Sequence, residues 1–476
     1  MDLRLAGVYL ACIAVITHCY PAAQLTWDGY YYIEISQNFR SSIRPGGYPY
    51  FLKLLNSITW SLPLIVTCQY ILHFLSIWFF LHVVDKVFRI KEWQYFLLGL
   101  ILITEPVALY HCFAILSDVL FSALTLAYMS TLILFIRKRS AWLFVVHVLF
   151  IFACIEVRHI ALFYPYFSFV IIALYYRKLK PVLIYGAVIF SINFSIMQLH
   201  IRANLELYQV PVYSAFSGWT HTNNTLYALP YMPSDTSEIK DPEVRRMHGF
   251  FKTYMDTSSF KMPFIGSGFL WDDKSPMCVI RKKLQDSLHA EFIQAWHILS
   301  PSFTKYGIYM QTHYPMAYIK GYMIPNMETL FHPHDGEMMD YYVTRDMNVT
   351  MLEWYHKKPE DFYARHQIYK NTINAWNLTY YHIRLTLFTL AMIASLFFFR
   401  RIRKQTDYFF VPVILFIGAF YMLTLYSSWF MYRYLIPVIP MQVAVIFTML
   451  IVVFRKKAAT ETPAEIPSQS GAIENS

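Results

Sequence analysis

Charge is scarce in this chain. Of its 476 residues, 15% are Asp, Glu, Lys or Arg and 57% are hydrophobic, whereas a soluble domain carries about a quarter charged residues. A soluble globular enzyme is therefore excluded, and a polytopic membrane protein is implied. Cysteine is equally uninformative as a framework. Cys12, Cys19, Cys68, Cys112 and Cys154 lie in or beside apolar stretches, and Cys278 stands alone in the polar region. Neither a disulfide scaffold nor a zinc spacing follows from that pattern. Internal repeats are also missing. The net charge of +10 would suggest nucleic acid in a soluble protein, but here Lys and Arg gather in short connections between apolar runs. That arrangement is a topology signal, not a nucleic-acid surface.

Apolar runs fall at 4–22, 61–84, 94–112, 118–136, 141–157, 160–176, 181–200, 380–399, 408–427 and 434–454, which predicts about ten transmembrane helices. Basic clusters occupy alternate connections: Lys86/Arg89/Lys91, Arg137/Lys138/Arg139, Arg177/Lys178/Lys180, Arg400/Arg401/Arg403/Lys404 and Arg455/Lys456/Lys457. With both termini inside, all of them fall on the inner side. Arg4, the first apolar run and Pro21-Ala22-Ala23 imitate a signal peptide; the alternation instead predicts an uncleaved anchor. The chain then divides into a seven-span module at 1–200 with an amphipathic first outer loop at 23–60, an extracytoplasmic insert at 201–379, a three-span module at 380–457 and a disordered tail at 458–476.

The stretch from Trp27 to Leu55, WDGYYYIEISQNFRSSIRPGGYPYFLKLL, is too polar to cross a membrane. Trp27, Tyr30, Tyr31 and Tyr32 suit the headgroup level. Ile33, Ile35 and Phe39 occupy the apolar positions of a short helix lying on the surface. Asp28 sits where the chain leaves the bilayer, able to face water and a lipid-borne substrate together. On the same outer side, which otherwise lacks basic clusters, stand Arg44, Arg158 and Arg433. The insert carries turn signals at Leu229-Pro230, Met232-Pro233, Asp241-Pro242 and Gly266-Ser267-Gly268. It also contains three Asn-x-Thr sequons, at Asn223, Asn348 and Asn377.

An apolar first run, an Asp opening the first outer loop, a surface helix and the turn Arg44-Pro45-Gly46-Gly47-Tyr48-Pro49 together resemble the polyprenyl-phosphate-sugar-dependent glycosyltransferases of the GT-C fold. Protein O-mannosyltransferases and aminoarabinose (lipid A) transferases are the members in view. Leu116-Ser117-Asp118, Arg158 and Arg433-Tyr434-Leu435-Ile436-Pro437 extend the likeness, which covers the first seven runs fairly well and the last one weakly. The resemblance implies inverting transfer from a polyprenyl-phosphate sugar to a glycan, lipid or protein acceptor. Its site would face the periplasmic or extracytoplasmic side of a plasma (inner) membrane, or the lumenal side of the endoplasmic reticulum membrane in a eukaryote. One departure stands out: many members carry two adjacent acids at the first-loop site, whereas Gly29 follows Asp28 and the next acid is Glu34. No second first-loop carboxylate carries over, and a divalent ion is possible there but not favoured; no other cofactor is expected.

Such a displacement needs a base on the acceptor hydroxyl and cations on the departing phosphate, much as inverting glycosidases need a base carboxylate. Asp28 suits the first role if desolvation by Trp27 and the tyrosines raises its pKa; the plainer alternative is an N-cap. Arg44, Arg158 and Arg433 suit the second, since a guanidinium is planar and permanently charged. The plainer alternatives are a Pro-Gly-Gly turn beside Arg44 and pairing of Arg158 with Glu156 or a backbone carbonyl. Asp118 either shapes the site or caps a helix. Glu105, an acid inside the third run, either serves the site or answers an arginine. Tyr48, like Tyr31 and Tyr32, either stacks on sugar or anchors at the interface. His332-Pro333-His334-Asp335 reads as a solvated loop, with no metal site. Tyr314 to Lys320 reads as a return of the insert toward the membrane. A transporter or lipid-linked-glycan flippase is the alternative from another class; it predicts paired interrupted helices in two related halves, and the sequence displays neither. A membrane scaffold with an adhesive outer domain would leave the outer charges unexplained.

Overall fold

A computed structural model describes residues 2–38, 43–176, 178–334, 349–368, 374–398 and 407–454, with backbone alone at 349–351 and 374–377. The tail at 458–476, Phe39, Arg177, Asp335, Asn348, the Asn377 side chain and the basic clusters at 400–404 and 455–457 lie outside the described residues.

Among the described residues the chain is predominantly helical and forms no β-strand, only two isolated backbone bridges. Every apolar run is largely helical, with those at 94–112, 160–176 and 434–454 each divided between two helical pieces. Among the described residues, five helices are long and apolar enough to cross a membrane: Leu62–Phe88, Ser117–Lys138, Leu179–Tyr208, Leu378–Phe397 and Asp407–Ser427. Leu3–Cys19, Ala141–Val157, His159–Tyr175 and Ile439–Phe454 are shorter apolar helices. Seventeen residues reach only about 25 Å at 1.5 Å per residue, short of a hydrocarbon core of about 30 Å. This architecture is consistent with a polytopic membrane protein.

The run at 94–112 is not one straight helix. Glu92–Ile103 and Pro106–Phe113 meet at a bend of 51°; counted as one broken span, they make a sixth candidate. Pro106 offers no backbone N–H and disfavours helical geometry in the residue before it. Glu105 adopts an extended conformation and caps the second piece, accepting from the Ala108 N–H at 2.7 Å.

The helix Ser117–Lys138 is the hub. Its apolar window is 89% buried, packed against Leu62–Phe88 and Ala141–Val157. Several polar groups in that interior are satisfied by side-chain bonds, as burial favours. Tyr128 bonds Ser168 at 2.8 Å, and Thr125 bonds the Tyr164 hydroxyl at 2.8 Å.

The insert has its own core. Ala215–Tyr227 packs along Phe292–His313, with Trp219 stacked on Trp296 at 4.0 Å and donating from its indole N–H to the Trp296 carbonyl at 3.0 Å. Leu226, Tyr227, Phe269, Phe303, Tyr306 and Tyr322 complete a cluster that Ile43 of the first loop also joins. The helix Leu179–Tyr208 continues past residue 200, so the insert departs from the bundle later than its composition suggested. Asn223 is buried, donating to the Asn224 side chain and the Gly266 carbonyl. In the folded chain that sequon is closed to modification.

Candidate functional site

Asp28 is the second residue of the helix Trp27–Asn38. It does not cap that helix. Thr26 does, accepting from the Gly29 N–H through its hydroxyl at 3.2 Å. The Asp28 carboxylate is thereby free to point sideways, where two guanidiniums take it. Arg44 Nη2 lies 2.6 Å from Oδ1 and Arg433 Nη2 lies 3.3 Å from Oδ2. The three side chains are 21%, 9% and 17% exposed for Arg44, Arg433 and Asp28, so the contact is sheltered without being sealed.

Arg158, at the end of the helix Ala141–Val157, reaches the same cluster. Its Nη2 lies 3.0 Å from the Asp118 carboxylate, which is almost fully buried at the start of the hub helix. Glu156, one alternative partner for Arg158, instead pairs with His200 at 3.1 Å. Ser117 and Tyr32 join the halves. Arg158 Nε donates to Ser117 Oγ at 3.3 Å, Ser117 Oγ bonds the Tyr32 hydroxyl at 3.1 Å, and that hydroxyl accepts from Arg44 at 3.4 Å. The ring of Tyr434 lies between two of the cations, 5.3 Å from the guanidinium carbon of Arg158 and 5.2 Å from that of Arg433. Among the described residues, three guanidiniums meet two carboxylates in this cluster. An anion with several acceptor oxygens fits such a set, because guanidinium–oxyanion bonds are charge-assisted and directional.

The electrostatics correct one expectation. Burial does push the Asp28 pKa up, but Arg44, Arg433 and Arg158 outweigh it and hold it below the ordinary 3.8. Trp27, expected to desolvate the acid, is an exposed residue. Burial works against the charge on Arg44, yet Asp28 keeps its pKa above the usual value.

Two expected site residues are elsewhere. Glu105 faces Arg384 on Asn374–Phe397 at 3.9 Å, both side chains 3% exposed, and touches none of Arg44, Arg158 or Arg433. Tyr48 is fully buried, its hydroxyl donating to Gln69 Oε1 at 2.8 Å and its ring edge-on to Tyr32 at 5.0 Å. It supports the ring that touches Arg44 and offers no face to a sugar. Gln69 in turn donates to the carbonyls of Cys112 and Ala114 at 2.8 and 2.9 Å, fixing the turn that precedes Ser117. Ser117 and Tyr434 lay inside motifs that drew attention for their neighbours. Gln69 and Arg384, strongly polar side chains within apolar helices, carried the signal that would have found them.

The loop at His332-Pro333-His334 is not simply solvated. The His334 N–H donates to the Phe430 carbonyl at 3.1 Å and its carbonyl accepts from the Tyr432 N–H at 3.2 Å, with Trp429 against its ring at 4.6 Å. This bridge fixes the backbone one residue before Arg433. Among the described residues no group of three His, Cys, Asp or Glu is arranged to hold a metal ion. A cavity of about 610 Å³ lies between Leu3–Cys19 and Leu62–Phe88, lined by Tyr9, Ile13, Val66, Tyr70 and Phe74 with Lys357 at its edge; none of the expected site residues lines it. Comparison with protein families, with curated proteins and with solved structures finds no match.

Proposed function

We propose that this chain is an integral-membrane inverting glycosyltransferase of the GT-C type, with about ten spans, moving a sugar from a polyprenyl-phosphate carrier to a hydroxyl of a glycan, lipid or protein acceptor. The observation that carries the reading is convergence. Asp28 and Arg44 of the first outer loop meet Asp118, Arg158 and Arg433 from three other segments in one contact network, although ion pairing near a membrane is costly to assemble. The working face would be the one opposite the basic connections, extracytoplasmic or lumenal.

In this mechanism Asp28 takes the proton from the acceptor hydroxyl. The oxygen attacks the anomeric carbon from the face opposite the phosphate. The carbon–oxygen bond to phosphate breaks, and its electron pair stays on the phosphate oxygen held by Arg44 and Arg433. A bound phosphate competes with Asp28 for those guanidiniums, so the acid gains basicity only when the donor is seated. Arg158, held by Asp118, positions the pocket from the other side. Gly29 accounts for the missing second acid: a Cβ there would lie 2.7 Å from the Ile115 carbonyl oxygen, so no side chain fits.

Release of sugar from a labelled polyprenyl-phosphate donor by the detergent-purified chain tests the proposal. Transfer or hydrolysis that disappears in Asp28→Asn, and a raised donor KM in Arg44→Ala and Arg433→Ala, is the expected outcome. Full turnover by Asp28→Asn sinks the assignment of the base. A second reading, a transporter or flippase, draws on the bent helix pair at 92–113 and the buried Glu105–Arg384 contact, since interrupted helices and intramembrane charges mark substrate paths. Movement of a lipid-linked sugar across proteoliposomes with the sugar–phosphate bond intact would select it.

A further inference from the structure

The insert ends in a helical run that is built inside out. It comprises Pro315–Tyr318, a π-helical turn Ile319–Met323 and Ile324–Phe331. Tyr318, Tyr322 and Asn326 are its buried side, 4%, 1% and 0% exposed. The opposite side bears Met316, Ile324, Met327 and Phe331, 61%, 52%, 44% and 51% exposed. The charged residues on that outward side are Lys320 and, toward its edge, Glu328. A helix in water would place these faces the other way round.

Where the run sits supplies the reason. Asn326 donates to the carbonyls of Leu425 and Ser428 at 2.8 and 2.6 Å, at the end of the candidate span Asp407–Ser427. Tyr318 donates to the Tyr426 carbonyl at 3.1 Å. The far end is pinned to a second candidate span, Leu378–Phe397: the Tyr381 hydroxyl donates to the Leu330 carbonyl, and His382 Nε2 lies 2.7 Å from the carbonyl of Phe331. The run therefore crosses the ends of two candidate spans, at the end of the bundle that carries Arg433 and Asp28.

We propose that Pro315–Phe331 is an interfacial helix, its Met316–Ile324–Met327–Phe331 stripe buried at the headgroup–acyl boundary of the same membrane the chain spans, with Lys320 reaching up to lipid phosphate. Long basic side chains lay their methylenes on apolar surface and keep the charge at the headgroups, and apolar stripes of this kind sink about 5–10 Å into that boundary. The insert is thus held against the bilayer at a point continuous with the segment bearing Arg433, independently of what reaction the site performs.

Single cysteines at Ile324 and Met327, carrying an environment-sensitive fluorophore, test this in lipid nanodiscs containing brominated phosphatidylcholine. Cys12 and Cys68, the two half-buried thiols, are replaced by Ser, and a label at Asp286, exposed on Pro276–Leu288, serves as the reference. Quenching about threefold or more above the reference at both positions is expected for a stripe within the boundary. Quenching no greater than at Asp286→Cys overturns the proposal. So does a stripe shielded only as protein concentration rises in detergent, which would mean that a second copy covers it. The labelled positions are exposed, so the variants fold as the parent does, and a coincident melting curve checks this.

Discussion

A carboxylate held between two guanidiniums is ionised and quiet until something draws the cations away. Asp28 is in that position, with its pKa held below 3.8, and two consequences follow at the scale of this residue. A group whose folded pKa is depressed adds stability that is complete above its unfolded value and is lost as pH falls through the folded one. The Asp28 contacts should therefore contribute fully at neutral pH and weaken only below about 3.8. The acid limb of kcat/KM for the free enzyme, which titrates the same group, is expected below that value; a limb near pH 6 would mean that another group is the base. Asp28→Asn should lower kcat about 10²–10⁴-fold, the range of a lost general base. The helix Trp27–Asn38 should persist in that variant, because Thr26 is its cap.

Elements meet this site through close approaches that leave room for hydrogen alone. At Gly29 a Cβ would lie 2.7 Å from the Ile115 carbonyl oxygen, and at Gly47 one would lie 2.5 Å from that of Glu156. Backbone oxygens cannot rotate aside as a side chain would. Gly29→Ala should cost about 1–3 kcal/mol through overpacking and reduce turnover by shifting Asp28. Gly418→Ala, with nothing within 4 Å, should be neutral or slightly stabilising by helix propensity. Thermal unfolding of both in one detergent separates the two cases. The bent helix pair makes a second test. Glu105→Gln leaves Arg384 buried beside a neutral group and should destabilise by about 3–5 kcal/mol, whereas Glu105→Leu with Arg384→Met should recover much of that loss. A double-mutant cycle without coupling would show that the 3.9 Å contact contributes nothing. The bend was implicit in Glu105-Pro106, since proline after a non-helical residue ends a helix. Its partner was not, because Arg384 lies in a distant run that hydropathy shows only as apolar.

For the molecule as a whole, the insert acts as a second body clamped on the first. Its core rests on Trp219 and Trp296, both fully buried, and its grip passes through Ile43, Asn224 and Asn326 to the first loop and the segment before Arg433. Trp296→Ala should cost about 3–5 kcal/mol and open residues 215–313 to limited proteolysis while the apolar helices stay protected. Cleavage spreading equally through the bundle would mean that the two cores do not fold separately. The insert's composition signalled polarity and turns, but not its core: the stacked tryptophans are far apart in the chain, and only packing pairs them.

What the sequence determined by itself is what local chemistry enforces. Apolar runs became helices because an apolar chain satisfies its backbone that way, and the acid and arginines set apart from the basic loops were visible as exceptions to a charge pattern. Tertiary structure alone decided who meets whom. Asp28 received Arg44 and Arg433, Arg158 received Asp118 instead of Glu156, and Glu105 was assigned to Arg384. Ion pairs form across space at a few ångströms, and no periodicity along a chain records which distant segments the packing of helices will bring that close.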